Sequence, residues 1–110
     1  DLHGNANVAA TYSISISNHE WSIPGGKLAV PCDKVVKFSV TSKDLTYGFG
    51  IFRADNSMIT QMQVVPGHAN DLLWTFTKNG TYDIRSTEYS GPAGYHIVAD
   101  GAVVVTGCQG

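Results

Sequence analysis

Apolar residues recur at every second position in run after run of this chain, a period that suits strands and not amphipathic helices. Ile14 and Ile16 face one way while Ser13, Ser15 and Ser17 face the other, and Val36, Phe38 and Val40 alternate with Lys37 and Ser39. Leu72, Trp74 and Phe76 stand against Thr75 and Thr77; Tyr82 with Ile84 and Val103 with Val105 complete the series. Each run spells a half-buried strand. Residues 28–30, 49–52 and 62–65 are shorter candidates, and no run of ten residues has a convincing helical period.

The breaks between these runs have turn chemistry. Pro24-Gly25-Gly26 fixes one φ and frees the next two, Pro66-Gly67 marks a bend, and Pro31 closes one strand before Asp33 opens the next. Asn79-Gly80, between Thr77 and Tyr82, reads as a tight hairpin turn. Seven or eight short strands at this spacing predict an all-β Greek-key sandwich or barrel.

A length of 110 residues suits one domain over residues 1–110. The 43% apolar and 15% charged content predicts a packed core and not a disordered tail. The net charge of −2 is spread singly, with no basic run to cover a phosphate backbone, so nucleic acid is not an expected partner. No stretch approaches the ~18 apolar residues needed to cross a bilayer, and Asp1-Leu2-His3-Gly4 lacks the basic start of a signal peptide. A membrane segment preceding Asp1 in a longer parent stays open. Cys32 follows an apolar strand and Cys108 lies near the end. The two are either a disulfide, closing a loop worth about 4 to 5 kcal/mol of chain entropy and implying an oxidising compartment, or two buried thiols.

Several ordered blocks resemble subunit II of the heme-copper oxidases. In Val40-Thr41-Ser42-Lys43-Asp44-Leu45-Thr46-Tyr47-Gly48-Phe49 a strand ends in Thr-Ser, then Asp, an aliphatic residue and a Gly-Phe pair. Gln63-Val64-Val65-Pro66-Gly67 is similar to the family's next strand and turn, and Trp74-Thr75-Phe76-Thr77-Lys78-Asn79-Gly80-Thr81-Tyr82 to its aromatic strand and Asn-Gly turn. Ser86-Thr87-Glu88-Tyr89-Ser90-Gly91 stands where the family has a Cys-x-Glu/Gln-x-Cys-Gly loop, and Gly101 with Val103-Val104-Val105 matches the last strand. The resemblance runs over about residues 14–105 and implies a cupredoxin-like Greek-key β-sandwich.

In that family a dinuclear copper centre takes one His before the Gly-Phe pair, two bridging Cys, a backbone carbonyl between them, a second His and a weak Met. Here the first His is matched by Tyr47, the two Cys by Ser86 and Ser90, the carbonyl residue by Glu88 and the Met by Ala99. His96 matches the second His only if a loop two residues longer is allowed for. Serine hydroxyls ionise far above neutral pH and are poor ligands for soft, reduced copper, so the resemblance implies a vestigial site without a cofactor. Cys32 and Cys108 lie outside the ligand loop.

Two readings stand beside each remaining residue. Glu88 and His96, with His19 or His68, form a harder metal site, or they are ordinary polar loop residues. Tyr47, Tyr89 and Tyr95 close the former metal end with Ser86 and Ser90, or they are half-buried tyrosines without special purpose. Trp21, in the expected loop after the first strand, packs or docks. Ser86 and Ser90 lack a nucleophile motif, and His96 with Asp100 does not make a triad, so no hydrolase is expected.

The resemblance implies an extracytoplasmic subunit II-like domain of a respiratory, electron-transporting membrane complex, a quinol oxidase or a nitric oxide reductase. The domain is not an enzyme by itself. Its partner is a large multi-helix subunit that carries the hemes, and possibly copper, and its anchor to the membrane lies outside this chain. A stand-alone secreted or anchored cupredoxin-like metal- or partner-binding protein is the alternative.

Overall fold

A computed structural model describes residues 8–87 and 98–108. Among these, nine strands follow in order: β1 (Ala10–Ser17), β2 (Glu20–Ser22), β3 (Leu28–Pro31), β4 (Val35–Ser42), β5 (Tyr47–Phe52), β6 (Met58–Val64), β7 (Asn70–Thr75), β8 (Gly80–Arg85) and β9 (Val98–Thr106). They form two sheets, β2-β1-β4-β7 and β3-β9-β8-β5-β6. β1 runs parallel to β4 and β3 parallel to β9, while the remaining pairs are antiparallel.

The period-two pattern does what its chemistry requires. Ile14, Val36, Phe38 and Val40 from one sheet meet Phe49, Ile51, Ile84, Val103 and Val105 from the other, each 2% exposed or less, while Ile16 is buried in a second, smaller cluster. Burying each such side chain contributes about 1.5 to 3 kcal/mol before conformational entropy is counted. Phe38 lies 5.7 Å from Tyr12, 5.7 Å from Phe49 and 6.3 Å from Phe76, centroid to centroid. Phe76 reaches Tyr82 at 5.0 Å, and Phe49 reaches Trp21 at 5.7 Å. An aromatic file thus runs through the interior from Tyr82 to Trp21.

Cys32 and Cys108 are joined, with Cα atoms 5.0 Å apart across 76 residues of sequence. Hydrogen bonds surround the bridge: the Cys32 N–H donates to Thr106 O, Asp33 N–H to Phe76 O and Cys108 N–H to Asn79 Oδ1. Beside it the Tyr82 hydroxyl donates back to Lys78 O at 2.9 Å, a corner that pins the entry to β8.

Three expectations are corrected. The Asn79-Gly80 turn does not close a hairpin, because β7 pairs with β4 in one sheet while β8 pairs with β5 and β9 in the other. Both strands point their apolar residues into the same interior, and alternation does not distinguish a hairpin from a crossing between sheets. Gly80 nevertheless takes φ 147°, as a glycine-dependent bend requires. Trp21 is not in a loop: Asn18 and His19, with φ of 53° and 62°, make a two-residue turn that pairs Ser17 with Glu20 and puts Trp21 on β2. β6 starts at Met58, four residues before its expected start, because Thr60 and Gln61 continue the pairing with β5.

Candidate functional site

β1, β4, β5 and β6 bring their chemistry together at one end of the sandwich. Tyr47 opens β5 opposite Val64, the last residue of β6, so the β4–β5 and β6–β7 loops both lie at this end. The β1–β2 turn joins them, since the Lys43 N–H donates to Ile16 O at 3.1 Å.

Asp44 ties the β1–β2 turn to the β4–β5 loop. Its Oδ2 accepts the Asn18 N–H at 2.7 Å and its Oδ1 the Leu45 N–H at 2.8 Å. Ser42 Oγ accepts the Asp44 N–H at 3.3 Å and donates to Leu45 O. A short polar side chain that captures nearby backbone donors is the ordinary means of setting such a loop. Asn tolerates the left-handed conformation that Asn18 adopts, and the carboxylate then collects its N–H.

Tyr47 fills the space beneath. It is fully buried against Ile16 and Trp21, and the His19 ring meets it edge-on at 5.9 Å. Its hydroxyl accepts the His19 N–H at 3.2 Å and donates to Asp44 Oδ2 at 3.3 Å. Burial pushes the phenol above its ordinary pKa, and the Asp44 carboxylate adds to this against the opposing His19 N–H. The Asn18 N–H foremost, then the Leu45 N–H, the Tyr47 hydroxyl and the His19 charge, hold the Asp44 carboxyl below the usual carboxylate range.

The other expected site residues divide in two. Ser86 follows the last residue of β8, the strand next to β5, and Ala99 lies one strand further out, on β9 opposite Ile84. Thr87 lies flat over β5, where a Cβ on Gly50 would come within 2.5 Å of Thr87 Cγ2. Glu88, Tyr89, Ser90, Tyr95 and His96 lie outside the described residues. His68 sits in the β6–β7 loop, its Nδ1 2.9 Å from Ala69 O. Among the described residues one group of three potential metal donors comes together, Cys32, Asp33 and Cys108, and its sulfurs are bonded to each other.

These residues do not fit a dinuclear copper centre. The Tyr47 hydroxyl already has a partner on each side and resists ionisation, Ser86 offers a hydroxyl where a bridging thiolate is needed, and Ala99 offers no donor. Sequence reading singled out Tyr47 but missed Asp44 as the residue that seats it. The Ser42-x-Asp44 pair ahead of a strand was the available sign, and Asn18-His19 between alternating residues was the sign of the turn.

No family model matches the chain. A probable cytochrome c oxidase subunit 2 of Streptomyces avermitilis is 28% identical over 89 residues, which cover 78% of this chain and 27% of that protein. The chain therefore spans about a quarter of that relative's length. The periplasmic domain of cytochrome oxidase subunit II from Bradyrhizobium japonicum superimposes with a TM-score of 0.69 at 17% identity, covering 90% of this chain and 85% of that one. Auracyanin from the photosynthetic bacterium Roseiflexus castenholzii does so at 0.68 and 18%, covering 91% and 99%. The fold is a cupredoxin-like Greek-key β-sandwich, similar in sequence to a probable cytochrome c oxidase subunit 2 and in architecture to the periplasmic domain of a cytochrome oxidase subunit II, with changed residues at the copper positions.

Proposed function

We propose that this chain is an extracytoplasmic, subunit II-like domain of a membrane heme-copper oxidoreductase, a quinol oxidase or a nitric oxide reductase, that has exchanged its copper centre for a polar plug. Its task is assembly, stability and docking on the large heme-bearing membrane subunit, and its anchor lies in a segment outside this chain. One observation carries the reading: Tyr47 stands at the position that the resembled family gives to an imidazole ligand, fully buried and hydrogen-bonded to both the Asp44 carboxylate and the His19 N–H. A side chain so engaged belongs to the architecture of that end and not to a ligand shell awaiting metal. The disulfide supports an oxidising compartment. The electron-transfer enzyme is then the complex, and this domain supplies no ligand to its redox centres.

Two measurements test the reading. Copper titration followed by visible absorption and electron paramagnetic resonance should give only weak, nonstoichiometric Cu(II) binding, with no thiolate-to-copper charge transfer. Restoring single residues, such as Ser86→Cys or Tyr47→His, should fail as well, because coupling two coppers needs both thiolate bridges. An intense mixed-valence spectrum from the unaltered chain overturns the loss of the centre. Mild solubilisation of the native membrane should bring the chain down with a heme-bearing multi-helix subunit. Recovery as a free secreted protein instead supports a stand-alone binding module.

A further inference from the structure

A sheet edge exposes unpaired N–H and C=O groups, and soluble proteins guard such edges with short strands, charges or proline. Among the described residues the sandwich has four edges, β2 and β7 in one sheet and β3 and β6 in the other. β2 has three residues and begins with Glu20, β3 has four and ends in Pro31, and β7 carries Asp71. β6 has seven residues and none of these guards. Indeed residues 56–70 contain no Asp, Glu, Lys or Arg. A bulge at Ile59, where pairing with β5 shifts between Ile51 and Phe52, interrupts only the start of the strand and leaves residues 60–64 in regular register.

The surroundings of this edge are apolar. Of the five exposed large hydrophobic residues among those described, Met58 begins β6 and Val65 follows it. Gln61 and Gln63 point to the solvent side of β6, while Thr60, Met62 and Val64 point inward.

We propose that β6 is the seam of a homodimer, in which β6 of one copy pairs antiparallel with β6 of a second copy and joins the two five-stranded sheets into one. Charge decides the occupant. A two-fold axis sets the strand against its own sequence reversed, so charges of one sign along an edge would face each other, and among the described strands β6 is the one edge of useful length with no charge to repel. A foreign strand would be selected by complementary charge, which β6 does not offer. With the axis at Met62, Gln61 stands opposite Gln63 of the second copy, and the paired carboxamides donate and accept across the seam. The seam uses none of Asn18, His19, Asp44 and Tyr47, so its test is read apart from the copper question.

Sedimentation velocity over a range of concentrations tests the pairing, with hydrogen exchange read at residues 60–64. The unaltered chain should dimerise reversibly, and those amides should become protected as dimer forms. Two double variants, Gln61→Lys with Gln63→Lys and Gln61→Glu with Gln63→Glu, place like charges in the seam and should each weaken association about tenfold or more. Both positions are exposed in the single copy, so circular dichroism should show each variant folded. Mixing the two variants in equal amounts should restore the dimer, now as a Lys-Glu heterodimer. A monomeric parent at every concentration overturns the proposal. So do two double variants that associate as tightly as the parent, or folded variants whose mixture stays monomeric.

Discussion

The two ends of the sandwich are held by different means. At one end a covalent bridge joins Cys32 to Cys108, flanked by the Asn79 carbonyl, the Phe76 carbonyl and the Tyr82 corner. At the other end no covalent bond joins the described residues; the β1–β2 turn and the β4–β5 loop meet through Asp44, Tyr47 and the backbone of Asn18 and His19. The aromatic file of Tyr82, Phe76, Phe38, Phe49 and Trp21 connects them. The stapled end and the file fix the framework without help from Tyr47, Ser86 or Ala99, the residues matched to copper ligands in the resembled family. A site that depends on a few polar contacts is the part of such a fold free to change its chemistry.

That contrast implies that the largest stability loss lies at the stapled end. Replacing both cysteines by Ala should destabilise the chain by about 4.5 kcal/mol, the chain-entropy value for so long a loop, with native strain able to reduce it. Urea denaturation without reductant measures this. A loss below about 1 kcal/mol would show that the packed core, not the bridge, holds the early and late strands together. Tyr47→Phe should cost less, about 1.5 kcal/mol, since the ring stays packed on Ile16 and Trp21 while the charged acceptor Asp44 and the His19 N–H lose a partner. No change on Tyr47→Phe would reduce the plug to simple packing.

Strand identity was legible where one face is buried. Ile14 with Ile16, and Val36 with Phe38 and Val40, declare an inward face because a one-residue slip would send the whole set to solvent. Sheet membership was not legible, because β7 and β8 bury the same kind of face from opposite sides of one core. Asn79-Gly80 therefore looked like a hairpin turn, and only pairing partners far away in sequence, β4 for one strand and β5 with β9 for the other, decide otherwise. At the candidate site, the change of donor chemistry was readable from residue types alone. The seating of Tyr47 was not, since Asp44 acts on Asn18 across 26 positions of sequence.

Gly80→Ala sharpens the crossing between sheets. Nothing lies within 4 Å of the added Cβ, so any cost comes from the backbone: φ 147° is open to glycine and poor for alanine. The expected loss is about 1 kcal/mol, read from the shift of the urea midpoint at constant slope. A neutral substitution would mean that the crossing relaxes to an ordinary extended bend. Because the neighbouring Asn79 accepts the Cys108 N–H, hydrogen exchange at Cys108 should rise together with the loss.

The smallest expected effect belongs to the carboxylate at the plugged end, and its sign follows from the hydrogen bonds that favour its charged form. The folded-state pKa of Asp44 lies below its unfolded value, chiefly through the Asn18 N–H. Its ionised form therefore adds stability at pH values above the ordinary Asp pKa of about 4, and that contribution disappears as pH falls through the lower folded-state value. Asp44→Asn keeps a carbonyl oxygen for the Asn18 N–H but removes the charge. The variant should be slightly less stable than the parent at neutral pH, and the gap should close on acidification below about pH 4. Asp44 lies at the surface, so salt should narrow the gap at neutral pH as well. Urea midpoints of both proteins across the acid limb give the answer. Two curves that stay parallel through that limb would show that Asp44 holds the loops by hydrogen-bond geometry alone and not by its charge.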